Sequence, residues 1–239
     1  MEQVSNWITG NPALAFYLIV AISLIITRLP FFGVFFRTVN TLLHESGHAI
    51  GAMITSGEVV KIDLNKDTSG IAQTKSKGRA GAFITSFSGY PFAALASSVL
   101  LVMSITGYHK LAAFILLSFA LLNLMLFVRN IFGIIWLLLF SALVSAGVWY
   151  AGDLVLRLLI LFVSMIAFTE TLASSLIITY LSFSRPRQAG DMANMQKTTG
   201  IPAVVWAMVN LIIVAGVMYY TVIHYFPGVE QLGSTLKIN

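Results

Sequence analysis

Seven apolar runs divide the chain, at about residues 13–27, 31–56, 82–106, 111–128, 131–150, 154–180 and 201–226. Each approaches the ~20 residues that carry a helix across a bilayer. They predict about seven membrane-spanning helices, within a range of six to eight, because only "RN" separates the fourth run from the fifth. The first run is preceded by Glu2, without Lys or Arg, and followed by "RLPFFG" rather than a small-residue cleavage site, which predicts a retained anchor. Between the second and third runs the pattern changes. Residues 57–75 alternate apolar Val60, Ile62 and Leu64 with polar Lys61 and Asp63, pass through "NKDTSG", and resume as "IAQT". Period two on both sides of a turn predicts a β-hairpin within the 57–80 loop. Residues 182–200 form a second polar loop. With no fixed-period repeat and no long linker, the expectation is one all-α integral membrane domain, 1–239, carrying a short hairpin after its second helix.

Composition agrees with the pattern. Hydrophobic residues make up 58% of the 239 and charged residues 10%, where a soluble domain has about 25% charged. The net charge of +5 does not point to nucleic acid, because the basic residues sit at the ends of apolar runs. Lys61, Lys66, Lys75, Lys77 and Arg79 share one side with Arg185, Arg187 and Lys197, leaving Arg28, Lys110, Arg157 and Lys237 opposite. The positive-inside bias therefore predicts a cytoplasmic N-terminus, with both polar loops cytoplasmic, in a multi-pass protein of the plasma membrane. Cysteine is absent, so thiolate metal sites are excluded.

One stretch contradicts its apolar setting. The second run, 31–56, contains "TLLHESGHAIGAM" at 41–53, which places His44, Glu45 and His48 in the HExxH pattern. Histidines at i and i+4 stack on one helical face and can reach one ion, as zinc requires. Glu45 lies about 100° round the helix from His44, beside such an ion without ligating it. Asn40 stands one turn before His44, as a partner for the ligands. Gly47, Gly51 and Ala52 make a small face on which another helix can pack closely. Catalytic zinc takes a third protein ligand. His109 and His224 fall at the far ends of their helices, which leaves two carboxylates: Glu170, at a matching depth in the sixth run, and Asp191, in the second polar loop. Depth alone favours Glu170.

The stretch "LLHESGHAIGAMITSGEVVKIDL" resembles the site-2 protease superfamily of intramembrane zinc metallopeptidases, closest to its smaller branch in bacteria and plants. "SGYPFAAL", "RNIFG" and "DMANMQKTTGIPAVVW" are similar to further motifs of that branch. The resemblance implies a hairpin beside the site, His44 and His48 as zinc ligands, and Glu45 as catalytic base. It further implies Asp191 as the carboxylate ligand, ahead of Glu170. The chain departs from the better-known members in having no Asn-Pro-x-x-Asp-Gly motif. The expected function is a Zn2+-dependent endopeptidase in the lipid bilayer that acts on a membrane protein or peptide. The alternative is a non-catalytic metal-binding scaffold or carrier using the same cluster.

Overall fold

The computed structural model describes residues 10–228; Glu2 and Lys237 lie outside the described residues. Its helices are α1 (Pro12–Ile26), α2 (Pro30–Ile54), α3 (Gly78–Ile105), α4 (His109–Leu126), α5 (Ile131–Tyr150), α6 (Asp153–Ser184), α7 (Gly190–Thr199) and α8 (Ala203–Tyr225). Strands β1 (Glu58–Leu64) and β2 (Gly70–Lys75) form an antiparallel hairpin between α2 and α3. The protein is an all-α membrane protein with one small sheet.

Five helices, α3, α4, α5, α6 and α8, are each long and apolar enough to cross a membrane. The first two runs meet the same test only as a bent pair, α1 and α2, whose axes differ by 109°. Among the described residues the count is therefore five, or up to six, which meets the expected range of six to eight at its lower end. The break has a local cause: a proline cannot continue the preceding helix and favours an extended residue before it. Leu29 is accordingly extended (φ −77, ψ 136) and Pro30 opens α2.

The hairpin stands where period two placed it, with Ile62 and Leu64 fully buried. Each contributes about 1.5–3 kcal/mol by burial. The alternation slips at a bulge between Val59 and Lys61, which leaves Val60 45% exposed. The outer edge of β1 is closed by the α4–α5 link. The Ile62 N–H donates to the Phe127 carbonyl at 2.8 Å and the Arg129 N–H to the Ile62 carbonyl at 3.3 Å. Asn130 then acts as a strand residue with its side chain, accepting from the Leu64 N–H at 3.1 Å and donating to the Leu64 carbonyl. Neither "RNIFG" residue had a role visible in the sequence.

The second polar stretch is not a loop. The α6 helix runs on to Ser184, a 3-10 turn follows at Pro186–Gln188, and α7 occupies Gly190–Thr199. Buried Met192 and Met195 anchor α7 in a core shared with α3, α6 and α8. The corner into α8 is tied by side chains: Gln196 accepts from the Ala203 N–H at 2.9 Å, and Thr199 Oγ1 accepts from the Trp206 indole at 3.0 Å. Gly200 makes the turn with φ +79, a left-handed conformation that glycine adopts without penalty.

Candidate metal centre

Helix α2 presents His44 and His48 on one face, as the i, i+4 spacing requires, and α3 packs directly against that face. A Cβ on Gly89 would lie 2.6 Å from His48 Cε1 and 2.7 Å from His44 Cε1. The glycine of "SGYPFAAL" thus lets the α3 backbone touch both imidazoles. The same crossing uses the small face foreseen on α2, since Gly47 and Gly51 lie against Ser88 and its neighbours. The Tyr90 ring then packs edge-on to His44 at 4.4 Å.

The α7 corner brings Asp191 to the same point from 147 residues away. Asp191 Oδ2 lies 3.2 Å from His44 Nε2 and 3.2 Å from His48 Nε2, and the two Nε2 atoms are 3.0 Å apart. Tetrahedral ligands about 2.0–2.2 Å from zinc stand about 3.4 Å from one another, so the triangle is close to one face of a zinc tetrahedron. The chemistry of the donors fits as well. The Thr85 carbonyl, 2.6 Å from His48 Nδ1, only accepts, so Nδ1 carries the proton and Nε2 keeps its lone pair toward the cluster. Burial works against the charge on Asp191, yet positive charge at His48 and His44, which their imidazoles carry when protonated, holds its carboxyl well below the usual carboxylate range. His44, His48 and Asp191 are the residues that would hold a metal ion.

Glu45, 5% exposed, leaves α2 toward the hairpin. A Cβ on Gly70 would meet the Glu45 carboxyl at 2.6 Å, and the Ala72 amide also faces that carboxyl. Thr41 Oγ1 donates to the Thr68 carbonyl at 2.7 Å and pins the tip of the hairpin beside it. A cleft of about 540 Å³ opens over these groups, lined by β2, α2, α3, α6 and α7. Ile62 and Leu64 send their backbone groups to the α4–α5 link, so their partners Ala72 and Gly70 turn theirs away from β1 as well. The free edge of β2 is therefore the wall of the cleft.

The other candidates lie elsewhere. Glu170 is not in the cluster: its Oε2 accepts from Arg37 Nε at 2.8 Å, about two turns along α2 from His44. Asn40 lines the cleft beside the histidines and accepts from Thr171 Oγ1 at 2.7 Å, tying α2 to α6. His109 pairs with Asp153 at 3.1 Å, where Lys110 joins the same carboxylate at 2.9 Å. His224 leans on the Tyr220 carbonyl of α8.

A family model described as Peptidase M50B-like matches residues 14–221. No curated protein and no solved structure matches the chain.

Proposed function

The chain belongs to the Peptidase M50B-like family, which is the site-2 protease family, and on that premise we propose that it is a zinc-dependent endopeptidase cutting peptide bonds in or next to membrane-spanning segments. One observation carries the reading: two imidazole nitrogens and a carboxylate oxygen converge within 3.2 Å while a buried glutamate lies alongside. Zinc held there would supply a Lewis acid that activates water and polarises the scissile carbonyl. Every other function falls to the chain's own atoms. His44, His48 and Asp191 form the ligand set, and the Thr85 carbonyl fixes the His48 tautomer. Glu45 takes the proton of the attacking water and passes it to the departing amine nitrogen. Gly70 and Ala72 hold the Glu45 carboxyl in place.

The substrate in this reading is a membrane protein or peptide, unwound to an extended strand and laid on the free edge of β2. An extended segment added to a sheet edge gains main-chain hydrogen bonds there. That register would bring it across the cleft beside Glu45. The positive-inside bias of the lysines and arginines around the hairpin and α7 supports a cytoplasmic location for this face.

The test is Glu45→Gln in protein reconstituted with single-span substrates, with fragments read by mass spectrometry and zinc by elemental analysis. Cleavage is expected to fall about 10³-fold with zinc content unchanged. Equal cleavage by the variant, or zinc-loaded wild type that cuts none of the panel while binding it, would overturn the reading. The second outcome would leave the non-catalytic metal-binding scaffold.

A further inference from the structure

Away from the metal cleft, between the first turns of α2 and α5, lies a groove of about 330 Å³ walled by Phe31, Phe35, Ile135, Trp136 and Leu139, with Lys66 at its edge. We propose that this groove binds one anionic phospholipid, its acyl chain against the apolar wall and its phosphate on the Lys66 ammonium.

Position supports the orientation. The α5 helix starts just beyond the link that returns the chain across the membrane boundary, so its first turns lie near headgroup level. The hairpin tip, held by Thr41, sets Lys66 beside those turns. From there the wall descends along α5 to Leu139. The wall faces lipid: Phe31 is 78% exposed and Leu139 56%.

The cation is available. Lys61 and Lys75, on the same hairpin, are paired with Asp63 and Glu58 at 2.6 and 3.0 Å. Lys66 is exposed and has no ion pair or hydrogen bond among the described residues. Its neighbour Asp67 turns its carboxylate to the Ser69 N–H and hydroxyl instead. Size separates the occupants. A helix is about 10 Å wide and rises about 5.4 Å per turn, so a single turn already needs about 400 Å³. At about 330 Å³ the groove is smaller than that turn, whereas part of one flexible chain can lie along its wall. A lone ammonium favours a net-negative headgroup over a zwitterionic one, whose own cation screens its phosphate.

The experiment is native mass spectrometry of the full-length protein in detergent with equimolar phosphatidylglycerol and phosphatidylcholine. Wild type is expected to retain a single phosphatidylglycerol, preferred about fivefold. Lys66→Gln should bring that preference to parity, and Leu139→Trp, which fills the groove, should abolish retention of both lipids. Lys110→Gln, at the opposite end of the bundle, should change neither. No preference in wild type, or a preference that survives Lys66→Gln, overturns the proposal. So does displacement of the lipid by an excess single-span peptide, which would give the groove to a transmembrane segment. The readout is independent of cleavage, so its failure leaves the peptidase reading untouched.

Discussion

Two polar islands lie along the same side of α2, and they are built on opposite principles. Near the cleft, His44, His48 and Asp191 turn three donor atoms toward one another, 3.0–3.2 Å apart, around a single point. Deeper, Arg37 and Glu170 close on each other at 2.8 Å, with Asn40 and Thr171 bonded beside them. The deeper island brings its own cation and is complete. The upper one gathers atoms that accept and has a cation only if one is supplied. A cluster that carries its counter-charge holds helices together; one that lacks it can hold an ion. The His109, Asp153 and Lys110 group, at the opposite end of the bundle, follows the first pattern.

The sharpest way to break this contrast is to remove one carboxylate from each island. Asp191→Ala should lower bound zinc from one per chain to below about a tenth, because two imidazoles alone make a poor site. Its unfolding midpoint in metal-free detergent should hardly move. Glu170→Ala should do the reverse, retaining zinc while losing about 3 kcal/mol of stability as Arg37 is left without its partner. Zinc loss in Glu170→Ala, or retention in Asp191→Ala, would dissolve the distinction. The double variant Arg37→Met, Glu170→Leu should recover most of the lost stability, since it removes both charges.

Smaller changes sharpen the same comparison. Gly89→Ala places a methyl group against both imidazoles and should weaken zinc affinity about 10–100-fold, measured by competition with a chelator, with the fold intact. Asn130→Ala removes two hydrogen bonds from Leu64 and should destabilise the hairpin by about 1–2 kcal/mol, read as faster hydrogen exchange at β1. Zinc content should stay unchanged, because the hairpin contributes no ligand.

Much of this was legible in the chain. The histidine spacing acts within one helix, so its geometry follows from the helical repeat. The hairpin follows from period two, with only Val60 thrown out by the bulge. The choice between Glu170 and Asp191 was not legible from depth. Matching depth along two helices says nothing about which way each side chain faces. Arg37 held the missing signal: a cation within an apolar run demands an anion, and Glu170 is the anion it meets. The polar stretch at 182–200 hid α7 because ten residues of mixed polarity carry too weak a pattern to separate from a loop.

By itself the sequence determined what short-range repeats can fix: apolar helices, a hairpin, and two imidazoles one turn apart beside a glutamate. Tertiary structure supplied the geometry by which Asp191, already implied by the resemblance, closes the triangle, and it alone decided that Gly89 makes room for it, that Glu170 belongs to Arg37, and that the first two apolar runs are a bent pair. The physical reason is range. Helical and strand periodicities act over a few residues, whereas partners 133 or 147 residues apart meet only once packing has set the rotation of each helix.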